Sequence, residues 1–162
     1  MSFLEIKNLN ISYQTRKETI VASKDVQFNL ERGEILGIVG ESGSGKSTIA
    51  NAIINLIDSP GKITQGSIKI ENLELCKNEE IIQKARGKKI GFIFQDPQTS
   101  LNPLFKIKDQ LIETIQTHLD LNYKDSFERS IKLLKEVGIE NAEKRIEDYP
   151  HQFSGGMRQR VV

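Results

Sequence analysis

Gly40, Glu41, Ser42, Gly43, Ser44, Gly45, Lys46, Ser47 and Thr48 form an unbroken run whose types and spacing can do chemistry. Gly40, Gly45, Lys46 and Ser47 stand at the offsets of the phosphate-loop pattern G-x-x-x-x-G-K-[ST]. A polyphosphate needs several N–H donors that converge on it. Glycines at 40, 43 and 45 let the backbone turn inward and approach without a Cβ in the way. A helix that begins at Lys46 adds unpaired N–H groups and the positive end of its dipole. Lys46 supplies a mobile cation for the β- and γ-phosphates, and the Ser47 hydroxyl can ligate Mg²⁺.

Such a loop works only between a strand and a helix, and the flanks fit. Glu34–Val39 is an apolar run of buried-strand type. Lys46–Ile57 follows with Ile49, Ala50, Ile53, Ile54 and Ile57 at helical spacing. Upstream, Phe3–Tyr13 alternates as a strand with one slip near Asn8, Gln14–Glu18 is a polar turn, and Val26–Leu30 alternates again. Glu31–Gly33 turns the chain into the phosphate-loop strand. Downstream, Gly66–Ile70 is a short strand and Asn78–Arg86 a helix. Lys89–Phe94 is a buried strand that leads into the polar loop Gln95–Pro103. Glu79, Glu80, Lys88 and Lys89 read as a solvated face.

The pattern changes after Pro103. Ile107, Leu111, Ile112, Ile115 and Leu119 share one helical face, as do Phe127, Ile131, Leu134 and Val137, with Gly138 as a stop. A short helix is predicted over Ala142–Ile146, broken by Asp148–Pro150. Phe153–Met157 is a second glycine-bearing loop, and Met157–Val162 starts another helix. A strand-rich part, 1–95, therefore precedes a helical part, 96–162.

The 162 residues suffice for one domain with a real core. With 23 basic against 22 acidic residues, no nucleic-acid partner is implied. The single cysteine, Cys76, fits a reducing compartment. No apolar run approaches the ~20 residues of a membrane span, so a soluble chain is predicted, with any membrane role passing through a partner.

A phosphate loop, a glutamine closing a buried strand, a helical segment and then Phe153, Ser154, Gly155, Gly156, Met157, Gln159 and Arg160 together resemble the ATP-binding cassette (ABC) ATPases over the whole chain. The resemblance implies an α/β phosphate-loop NTPase fold of ABC type, with a mixed β-sheet that carries the phosphate loop and a helical subdomain. It implies that Tyr13 stacks on adenine and that Gln95 contacts Mg²⁺ and the attacking water. Ser154, Gly155 and Gly156 become the signature that meets nucleotide. The run Phe94–Pro97, with Ser100–Pro103 after it, is similar to the subfamily that imports oligopeptides, dipeptides and nickel.

The implied cofactors are ATP and Mg²⁺. The implied partners are a second ABC ATPase subunit, paired head to tail, and transmembrane permease subunits on the cytoplasmic side of the membrane. The transported solute is not expected to touch this chain. The family pattern continues into an apolar strand ending in Asp-Glu and a later switch histidine. Neither His118 nor His151 lies where that histidine belongs. The sequence therefore reads as the N-terminal part of such an ATPase, expected to bind ATP with little or no hydrolysis by itself. A GTPase reading is disfavoured, because no Asn-Lys-x-Asp motif is present.

Overall fold

The structure, a computed structural model, describes residues 2–71, 73–76, 79–94, 96 and 100–162. The chain forms two compact units, Met1–Gly91 and Phe92–Val162.

The first unit is built on a sheet of β1 (Leu4–Gln14), β2 (Thr19–Leu30), β3 (Gly61–Ile70) and β4 (Leu73–Glu74), in the order β2-β1-β3-β4. Each adjacent pair is antiparallel. Two helices, α1 (Lys46–Ile53) and α2 (Glu79–Ala85), complete the unit. The slip near Asn8 is a bulge. Leu4 and Ile6 are two residues apart, as are Leu9 and Ile11, but Ile6 and Leu9 are three apart. An unbroken strand would turn the second pair away from the core. The register instead shifts between Ile6 and Leu9 against β2 and between Lys7 and Asn10 against β3, with Asn8 at φ 48°. One extra residue restores the facing. All four side chains are buried, against Ile49 and Ala52 of α1, Ile68 and Ile70 of β3, Leu75 and Ile82.

Three expectations need correction. Glu34–Val39 is not a buried strand: it lies outside the sheet, and Ile35 and Val39 are 96% and 94% exposed. A strand apolar on both faces needs hydrogen-bonded neighbours on both sides, and no described strand pairs with it. Lys89–Phe94 is not a buried strand either. Ile90 makes one isolated parallel bridge to Arg86, and Ile93 is 76% exposed. The first helix ends at Ile53 rather than Ile57, since Asn55 adopts a left-handed φ of 52°. Conversely, β2 begins at Thr19, well before the alternation at Val26.

Nor are the charges near α2 merely solvated. Glu79 accepts from Asn55 Nδ2 at 2.6 Å and pairs with Arg86 at 3.4 Å. Glu71 accepts from Lys89 at 2.7 Å and from Arg32. The Lys89 hydrogen bond, seconded by Arg32, holds the Glu71 carboxyl below its ordinary range. One carboxylate thus ties the Glu31–Gly33 turn to the residues after α2.

The second unit holds α3 (Ile107–His118), α4 (Tyr123–Glu136), α5 (Ala142–Arg145), a 3₁₀ turn (Pro150–Gln152) and α6 (Gly155–Val161). Ile107, Leu134, Ile139, Ala142, Ile146 and Phe153 form its core, with Leu111, Phe127, Ile131 and Met157 packed against them. The predicted faces are therefore used, except that Leu119 and Val137, at their ends, stay about 40% exposed. Asn122 caps α4 by accepting from Asp125 N at 3.0 Å. Ser126 and Ser130 are fully buried on α4, and each hydroxyl donates to the carbonyl four residues back, at 2.8 and 2.7 Å. Lys108 and Lys106 both donate to Glu147 and hold its carboxyl below the usual range. That pairing favours the fold above the ordinary carboxylate pKa and is lost as pH falls through the lowered value; both partners are exposed enough that the effect is small. Among the described residues no helix is long and apolar enough to cross a membrane.

Candidate functional site

The phosphate-loop run sits where β2, an irregular turn and α1 meet. Gly43 and Gly45 have φ of 82° and 89°, and Gly45 is the N-cap of α1. No side chain caps this helix, so the N–H groups of its first turn face the loop. Lys46 folds back: its Nζ donates to Gly40 O at 2.8 Å, Glu41 O at 2.6 Å and Ser44 Oγ at 3.2 Å. These acceptors are neutral. A phosphate oxygen presented there is the stronger acceptor for an ammonium. Ser47 is exposed in the first turn, and Thr48 beside it is half-buried. Glu41 and Ser42 are exposed on the outer side of the loop. Ala22 together with Gly43–Thr48 lines a cavity of about 170 Å³.

Gly45 is constrained twice. Its φ is one that side-chain-bearing residues avoid, and a Cβ there would lie 2.5 Å from Ala22 O and 2.9 Å from Ser23 Oγ. The phosphate loop is thus seated directly on β2. Ala22 and Ser23 are residues that sequence reading missed. Nothing local marks them, because their role comes from strand pairing that brings them under a loop some twenty residues later. The Ser23 hydroxyl is buried there without a hydrogen-bond partner.

Tyr13 is half-buried near the end of β1, paired with Ile20 of β2 on one side and Gly61 of β3 on the other. Ile20 and Ala22 are two residues apart on β2, roughly 7 Å of strand. The aromatic residue and the phosphate loop therefore border the same stretch of β2.

Gln95 lies outside the described residues. The glycine-bearing stretch Phe153–Met157, expected as a loop before a helix from Met157, is helical from Gly155, two residues earlier. Ser154 is the N-cap of α6 and its Oγ accepts from Met157 N at 3.3 Å, the capping geometry expected of a serine there. Gly155 and Gly156 are exposed, and a Cβ on either would meet nothing within 4 Å. The chain's own packing therefore gives no reason for glycine at these positions. Arg160 anchors the helix. Its guanidinium donates to Val137 O at 3.2 Å and Gly138 O at 2.6 Å, the carbonyls at the end of α4. His151 stacks on Tyr149 with ring centroids 5.7 Å apart.

Residues 23–162 match the family described as ABC transporter. The chain is 47% identical over 161 residues to the oligopeptide transport ATP-binding protein OppD of Bacillus subtilis (strain 168), covering 98% of this chain and 45% of that protein. It is 42% identical over 163 residues to the dipeptide transport ATP-binding protein DppD of Haemophilus influenzae, covering 100% and 49%. It spans about half the length of the curated relatives it matches. Among solved structures, the dimeric post-hydrolysis ATP-binding cassette MJ0796 bound to ADP and Pi superposes with a TM-score of 0.85 at 32% identity, over 98% of this chain and 66% of that one.

Proposed function

Since this chain belongs to the ABC transporter family, we propose that it binds MgATP at Gly40–Thr48 and belongs to the ATP-binding subunit of a peptide importer. The observation that carries the reading is Lys46, an ammonium held, among the described residues, by neutral oxygens at the mouth of an uncapped helix. Incoming β- and γ-phosphates displace those oxygens and take the charge. The N–H groups of Gly43–Thr48 then converge on them. On this chain the Ser47 hydroxyl would hold Mg²⁺, with Gln95 in contact with the metal and the attacking water, and the metal would supply neutralisation of the phosphate charge. Tyr13 stacks on adenine.

Gly155 and Gly156 support a partner in the same reading. Their open faces suit a surface that another molecule approaches closely. With Ser154 they close over the nucleotide of a second ATPase subunit, paired head to tail, in a motion driven by the γ-phosphate. Permease subunits carry that motion across the membrane, with this chain peripheral on its cytoplasmic side and never touching the solute. The subfamily run before and after Gln98 and the names of the relatives support peptides as cargo. Disrupting the encoding gene is expected to abolish uptake of labelled oligopeptide and to spare nickel uptake; the reverse pattern would move the assignment to a nickel importer.

The adenine contact has its own test. Base–aromatic stacking is worth on the order of 1–3 kcal/mol. Tyr13→Ala is therefore expected to weaken ATP binding about tenfold or more, and Tyr13→Phe to change it little because the ring remains. Equal losses in both variants would shift the cause to the hydroxyl or to the fold. Fluorescence titration with an ATP analogue labelled on the ribose reads the difference.

A further inference from the structure

We propose that Gly61 is a positioning residue for the Tyr13 ring, and that recognition of the base depends on the absence of a side chain there. The inference rests on the reading of Tyr13 as the adenine platform. Gly61 opens β3 and pairs directly with Tyr13. A Cβ on Gly61 would lie 2.7 Å from Tyr13 Cε1, 2.5 Å from Ile57 Cγ2 and 2.9 Å from Asp58 O. All three are closer than Cβ atoms come to their neighbours in folded proteins. Gly61 does not have a positive φ, so its backbone conformation is open to alanine. What excludes a side chain is space.

The three neighbours differ in how far they can give. Asp58 O belongs to the turn closed by the Gly61 N–H, which donates to it at 2.8 Å. Gln14 N, next to Tyr13, donates to Pro60 O at 3.4 Å and holds the same turn against β1. The Ile57 methyl branches from Cβ, where the side chain is stiff. The Tyr13 ring is the group that moves, by rotation about its side-chain bonds. Ile57 and Asp58 lie on the segment that leaves α1, the helix that starts at the phosphate loop. The bare backbone at Gly61 thus lets that segment and the aromatic ring meet.

The close approach of Gly61 to Tyr13 spans 48 residues of chain and leaves no local trace.

The test separates base from phosphate. Dissociation constants for MgATP and, by competition, for Mg²⁺ with inorganic tripolyphosphate are measured by fluorescence titration on the 162-residue chain at low protein concentration, with Gly61→Ala, Tyr13→Ala and the double variant. Gly61→Ala is expected to weaken ATP about fivefold or more, a share of the stacking energy, and to leave tripolyphosphate within about twofold. The double variant is expected to bind ATP no more weakly than Tyr13→Ala, since the two changes act on one contact. Unchanged ATP affinity in Gly61→Ala, beside a loss in Tyr13→Ala, overturns the role of Gly61 and leaves the platform standing. Unchanged affinity in Tyr13→Ala removes the platform and this inference with it. An equal loss of tripolyphosphate in Gly61→Ala assigns Gly61 to the fold and overturns the proposal.

Discussion

Lys46→Ala is expected to abolish ATP binding within the range of a fluorescence titration. The ammonium is half-buried in the loop and donates to three oxygens, each of which a phosphate would replace. Charge-assisted hydrogen bonds are worth roughly 1.5–3 kcal/mol each, so losing two to the β- and γ-phosphates weakens binding about a hundredfold or more. The fold should not share the loss. The Gly40 and Glu41 carbonyls released by the change are exposed, so water takes the place of the ammonium. A thermal melt alongside the titration checks this. Near-wild-type affinity in Lys46→Ala would refute the phosphate assignment, since no other cation of the described loop stands in its place.

The second large effect concerns the 162-residue chain by itself: it is expected to self-associate as its concentration rises and to release no phosphate above background. The first half rests on Ile35 and Val39, 96% and 94% exposed on a segment with which no described strand pairs, and with Leu36 and Ile38 partly exposed beside them. Burying a fully exposed valine or isoleucine is worth about 1.5–3 kcal/mol. Unpaired backbone N–H and C=O groups on the same segment offer a template for another chain. Light scattering against concentration reads the association, and Ile35→Lys with Val39→Lys is expected to reduce it. A wild-type chain that stays monomeric throughout would show that the segment finds cover.

The second half rests on the family resemblance. Its water-polarising glutamate belongs to an Asp-Glu pair, and that dipeptide does not occur in this sequence. Phosphate release that is present in the wild type and absent in Lys46→Ala would overturn it. Binding titrations belong at low protein concentration, below the onset of association.

These expectations divide along a physical line. The phosphate loop was legible because its requirements are local: two glycines at positive φ, a helix start without a cap, and a lysine within reach of the carbonyls just before it. The faces of α3 and α4 were legible for the same reason, since helix periodicity acts over three or four residues. Even the bulge at Asn8 left a trace, as an odd interval between Ile6 and Leu9.

Strand partnership leaves no such trace. Glu34–Val39 and Lys89–Phe94 have the composition of buried strands, but composition does not say whether neighbours exist, and here no described strand pairs with either. The first half of β2, Thr19–Asp25, was invisible because bulges opposite Leu9 and Ile11 break its alternation. Only the tertiary structure brings Ala22 and Ser23 under Gly45, and Gly61 against Tyr13. Helical contacts form between neighbours in sequence and can be read from it. Sheet contacts join residues tens of positions apart, and which of them meet is decided by the packing of the whole unit.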